Sequence, residues 1–176
     1  MEWLASRKHR AQDRLISRRR AWWTLFIALA ACQSVVLWIM WPGGFPADAI
    51  DQLSQVVGVS GFNDWHPVIH TLFEKLILSI VPVAGAITAV QMVCFAWILT
   101  SILMLGYDNG ISVGLLVLLG GVFEFLPNQA LSWSNVLKDF PFTLVLLWGL
   151  FLLIHLAIKS RWSTKTTYYI RSEERR

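Results

Sequence analysis

The sequence predicts an all-α membrane protein: four transmembrane helices, with two interfacial amphipathic helices in the first outer loop. Three observations carry this. Hydrophobic residues make up 56% of the 176 and charged residues only 15%, a balance too apolar for a soluble domain. The apolar residues gather in long runs. The charges gather at the ends: seven Lys/Arg lie in residues 1–21 and six in 159–176, leaving only Lys75 and Lys138 between them. Basic ends around an apolar body follow the positive-inside rule and place both termini on the cytoplasmic side of the cell membrane. The net charge of +4 then suits membrane lipid, as an anionic leaflet, and not nucleic acid.

Residues 1–21 form the first basic cytoplasmic tail, and 22–159 the transmembrane module. The run from Ala21 to Trp41 is long enough, at ~1.5 Å per residue, to cross a ~30 Å hydrocarbon core. "RRRAWWTLFIALAAC" also has the layout of a lipoprotein signal, but the chain continues apolar after Cys32 as "QSVVLWIMW". That favours an uncleaved first span at 22–41, with Trp22, Trp23 and Trp41 as interfacial anchors. Cys32 and Cys94 fall inside apolar runs with no CxxC or zinc spacing, and carry no redox or metal role.

The outer loop 42–85 holds two amphipathic segments. In "FPADAIDQLSQVVG", Pro46 suits a first helical turn and Asp48 the positive end of the dipole. Asp48, Asp51, Gln52 and Gln55 share one helical face, opposite Ala49, Ile50, Leu53, Val56 and Val57. "GVSGFND" breaks this helix, and Asn63 or Asp64 is placed to cap the next, "PVIHTLFEKLILSIVP". As a span that segment would carry Glu74 and Lys75 near its middle, each costing ~2.5–3.5 kcal/mol on insertion scales. As an interfacial helix it puts Val68, Ile69, Leu72, Phe73, Leu76, Ile77, Ile80 and Val81 on one face and His70, Thr71, Glu74 and Lys75 on the other.

Spans follow at about 86–106, 111–127 and 142–159, separated by the "YDNG" turn at 107–110 and the outer loop 128–141. Residues 160–176 are the second cytoplasmic tail. Four spans place Asp48, Asp51, Asp64, His66, His70 and Asp139 on one side of the membrane. Gln33 and Gln91 suit hydrogen bonds between helices, and Gly120–Gly121 suit close packing. Glu124 either faces the same cavity or snorkels to the interface.

The set "PADAIDQ", "DWHPVIHT", Gln91 and "NVLKDFPF" resembles the opening of GT-C-type membrane glycosyltransferases, such as the protein O-mannosyltransferases and aminoarabinose transferases. It looks like a bacterial GT-C-like pattern of D-S-x-x-Q, D-x-HP-x-x-HT and W/L-K-D. The resemblance covers roughly residues 20–158. It implies transfer of a sugar from a polyprenyl-phosphate donor to an acceptor on the outer face. Asp48 matches the general base of the first outer loop and Asp139 the acid of the second. Asp51, Asp64, His66, His70 and Lys138 then line the substrate, with Lys138 and the histidines as cationic partners of the departing phosphate. Such enzymes have about ten or more spans, so this chain is expected to be a truncated relative, an N-terminal portion, or one half of a pair completed by a further polytopic subunit.

Two other readings stay open. One is a non-catalytic membrane subunit or lipid-binding protein whose flat helices dock a partner. The other is a metalloenzyme, because His66 and His70 stand four apart with Glu74 one turn on, a spacing that suits a divalent metal. Asp139 also suits a plain capping role for the last span.

Overall fold

The computed structural model describes the backbone of residues 2–63 and 65–173, and the side chains of 16–63 and 65–158. The described residues form seven helices: α1 (Glu2–Met40), α2 (Ala47–Val56), α3 (Val68–Ile80), α4 (Gly85–Asp108), α5 (Val113–Glu124), α6 (Pro127–Ser134) and α7 (Asp139–Glu173). Three stretches are long and apolar enough to cross a membrane: Ile16–Met40, Gly85–Asp108 and Asp139–Ile158. A fourth exists if α5 and α6, bent by 74°, count as one broken span.

That bend corrects the straight span expected over 111–127. Helix α5 has only 12 residues. Pro127 disfavours helical geometry in the residue before it, and Leu126 is extended at φ −61°, ψ 129°. Proline then opens α6, where its missing N–H costs nothing. The loop expected over 128–141 is thus largely helical.

Helices α1 and α4 run antiparallel. At one end Arg18 grips Asp108 through two hydrogen bonds of 2.9 and 3.0 Å. At the other, the Thr88 hydroxyl donates to the Pro42 carbonyl at 3.0 Å. Helix α5 lies against both. A Cβ on Gly120 would stand 2.8 Å from Leu29 and 3.1 Å from Leu103, so the glycine sets how closely α5 approaches. The core between them holds Leu29, Leu37, Phe95, Leu99 and Trp133. Helix α7 joins through Phe140 and Leu144, yet only 6% of its apolar window is buried. Phe142, Val145, Leu146, Leu150 and Leu153 face outward. A surface this apolar is tolerated where the surroundings are themselves apolar.

Helices α2 and α3 are turned the same way. The polar residues His70, Thr71 and Glu74 of α3 are buried with Ile77, while Ile69, Leu72, Leu76 and Ile80 are exposed. On α2, Gln52 and Gln55 are buried and Ile50 is exposed. Most of each polar face read in the sequence turns into the protein, but Asp48 and Lys75 are exposed, and Ala49 and Ile77 of the apolar faces are buried.

One backbone link joins the two loops at this end. Gly44 N–H donates to Ser134 O, and Val136 N–H donates to Gly44 O, both at 2.9 Å. This isolated parallel bridge pairs Gly44 with Asn135. A Cβ on Gly44 would collide with the Asn135 side chain, and neighbouring Gly43 has a positive φ of 110°, which favours glycine. Gln91 Nε2 donates to Asn135 O at 3.3 Å. The link therefore holds residues 135–139 beside α2.

Candidate functional site

The site is assembled from three segments: the first half of α2, the start of α3, and the Lys138–Asp139 turn that opens α7. Each is placed for a local reason. Pro46 caps α2 with an extended backbone and Asp48 occupies the first turn. Pro67 stands at the start of α3, and Asn63 does not cap that helix, which corrects that half of the expectation. The Asn63 carboxamide oxygen instead accepts Trp65 N–H at 3.1 Å, the local turn that asparagine side chains favour. Asp64 lies outside the described residues.

Lys138 is the hub. Its Nζ stands 3.4 Å from Asp48 Oδ2 and 3.2 Å from His66 Nδ1. His66 Nε2 stands 3.4 Å from Asp51 Oδ2, and that oxygen accepts Gln55 Nε2 at 2.9 Å. Asp48 is exposed and the His66 ring buried. Ala47, Asp48, Asp51, Asn63, Trp65 and His66 line an open depression of about 630 Å³.

A second, buried layer lies beneath. His70 Nδ1 stands 3.1 Å from Gln52 Oε1 and 3.4 Å from Glu74 Oε1. Gln52 Nε2 donates to Thr71 Oγ1 at 3.3 Å. His70 Nε2 and both Glu74 oxygens have no hydrogen-bond partner. Burial pushes the Glu74 carboxyl up to about 7 from 4.5. His70 is held below its ordinary 6.5, chiefly by burial, then by its neighbours His66 and Lys138, with Asp139 pulling the other way. An uncharged pair is the low-cost arrangement for two ionisable groups this far from water.

The sequence-predicted residues Asp48, Asp51, His66 and Lys138 are thus in one contact network, and His70 lies close enough to feel it. Asp139 is the first residue of α7 and exposed; its charge reaches His70. The histidines turn to different partners, His66 to Asp51 and His70 to Gln52 and Glu74. Among the described residues, no three His, Cys, Asp or Glu side chains are grouped as a metal would need.

Gln52 and the Gly44–Asn135 link were not singled out for the site, and Glu74 only as part of the metal reading. The helical spacing of Gln52 to Asp48 and Glu74 to His70 was a usable signal. A pairing of backbones 91 residues apart leaves none.

Away from this surface, Glu124 is fully buried and accepts Gln33 Nε2 at 2.7 Å. It therefore faces into the bundle and does not snorkel. The Trp133 indole N–H approaches the same carboxyl without hydrogen-bond geometry.

Comparison of the chain with protein families, curated proteins and solved structures gives no match.

Proposed function

We propose that this chain is a GT-C-like membrane glycosyltransferase, or the N-terminal module of one, working on the outer face of the cell membrane. In this reading α1, α4, the broken α5–α6 pair and α7 cross the bilayer with both termini cytoplasmic. Helices α2 and α3 lie in the interface, their apolar faces toward lipid. The donor is a sugar on a polyprenyl phosphate. Asp48 takes the proton of the acceptor hydroxyl as the bond to the sugar forms, and Lys138 balances the phosphate that leaves. Asp139 stands at the head of α7 as a second carboxylate.

The observation that carries this is the meeting of three distant segments at Lys138, Asp48, Asp51 and His66, beside helices whose apolar sides face out. A lone surface charge needs no such arrangement. The test is Asp48→Asn in membranes supplied with a panel of polyprenyl-phosphate sugars, reading release of polyprenyl phosphate. Removing a general base should lower the rate by ~100-fold or more with insertion unchanged. Wild-type turnover in that variant rejects the assignment.

One observation favours a second reading, a non-catalytic membrane subunit. Helix α7 is covered over only 6% of its apolar window, which leaves a face that suits another polytopic chain. Co-purification of such a chain, with no release by the wild type from any donor, would establish it.

A further inference from the structure

His66 has its proton positions dictated by its neighbours. Lys138 Nζ stands 3.2 Å from His66 Nδ1, and an ammonium group only donates. Nδ1 must therefore be the bare nitrogen of a neutral ring. The ring proton sits on Nε2, facing Asp51 Oδ2 at 3.4 Å. Asp51 is in turn steadied by Gln55 Nε2 at 2.9 Å, and buried Gln55 takes the Asn63 N–H at 3.3 Å. Each member of the chain Gln55–Asp51–His66–Lys138 fixes the next.

Lys138 is held only loosely by what it touches. Its contacts to His66 and Asp48, 3.2 and 3.4 Å, are longer than the ~2.7–2.9 Å of strong charge-assisted hydrogen bonds. Its side chain keeps 28% of its surface in the open, whereas His66 keeps 2%. The ring is the fixed partner and the lysine the movable one.

We propose that Lys138 is handed over: at rest it bridges His66 Nδ1 and Asp48, and an anionic phosphate group entering the depression takes it, uncovering both acceptors in one movement. Asp51 and His66 are then positioning residues that set the resting place of the lysine. The inference rests on reading this surface as a phosphate site. It adds that binding the phosphate and releasing Asp48 Oδ2 from the lysine are a single event.

His66→Phe separates this from a merely structural role. It keeps an aromatic ring in place and removes the acceptor that faces Lys138 Nζ. The lysine loses one of its two resting partners, and phosphate should bind about three- to tenfold tighter, the scale of one hydrogen bond no longer displaced. Lys138→Gln should weaken binding by about tenfold or more.

The experiment uses the full chain, labelled with ¹⁵N-histidine, in phosphatidylcholine nanodiscs, with the His66 signals assigned by their loss in His66→Gln. The probes are farnesyl phosphate and inorganic phosphate. The wild type should show the Nε2–H form at rest, and its Nδ1 signal should move as a probe saturates. A response to both probes identifies a bare anion site, and a response to farnesyl phosphate alone a lipid-borne phosphate; either supports the hand-over. An Nδ1 signal unmoved by either probe overturns it. So does a His66→Phe protein that binds farnesyl phosphate no more tightly than the wild type. If no sugar donor is turned over while the farnesyl phosphate response persists, glycosyl transfer falls and the hand-over stands.

Discussion

The two ends of the α1–α4 pair are fastened in different ways. At the Arg18 end a guanidinium meets a carboxylate through two near-ideal hydrogen bonds, 2.9 and 3.0 Å, beside a Ser17–Tyr107 contact of 2.9 Å. At the Lys138 end the firm fastening is backbone, the Gly44–Asn135 bridge, and the charged side chains meet at 3.2–3.4 Å with partners shared among them. A bidentate pair has one good geometry and resists exchange. A cation spread over two single-point acceptors can change partners at little cost. The first arrangement suits a joint, the second a site.

The contrast breaks most sharply at Gly44. Gly44→Ala drives a methyl into Asn135, and overpacking of this kind costs about 3 kcal/mol. Thermal unfolding in detergent should show that loss, and farnesyl phosphate binding should vanish because Lys138 is no longer held beside α2. A variant with wild-type melting would show that the bridge does not fasten this end.

A smaller effect tests the buried layer. The folded Glu74 value, about 7, lies above its ordinary 4.5, so the folded protein keeps a proton that the unfolded chain releases. The stability this confers is complete below about pH 4.5 and is lost as pH rises through about 7, by at most about 3 kcal/mol at 1.36 kcal/mol per unit. His70, held below 6.5 by burial, acts oppositely: its contribution is present above that value and lost as pH falls. Melting temperature should therefore decline on both sides, and Glu74→Gln should remove the alkaline decline alone. A variant that keeps it locates the titration elsewhere.

The smallest effect sharpens the comparison from the other end. Arg18 and Asp108 are roughly half exposed, so solvent screens the pair. Asp108→Asn should cost less than about 1 kcal/mol and leave phosphate binding and the His66 ring form untouched. A change at His66 would mean that the two ends are coupled.

Continuous apolar runs made α1, α4 and α7 legible in the sequence, and helical spacing gave most of the faces of α2 and α3, with Ala49 and Ile77 buried and Asp48 and Lys75 exposed against it. Helix α3, with 13 residues, is too short to be among the long apolar helices. What the spacing could not give was the depth of Glu74, because periodicity separates faces without saying which partner covers them. Helix α6 escaped because "PNQALSWS" is eight residues of mixed polarity behind a proline that looked like an ending. The meeting of Lys138 with Asp48 and His66 depends on a glycine–asparagine link between distant loops, and no local pattern encodes it.

For a chain that crosses the bilayer as proposed, the brevity of α5 has a consequence of its own. Twelve residues reach about 18 Å, well short of a ~30 Å hydrocarbon layer, and the chain then swings aside. Lipids flanking that notch must dip to meet it. Such a dimple would lower neighbouring headgroups toward the ledge where Lys138 waits, so that a long-tailed donor need not climb out of the leaflet to be reached.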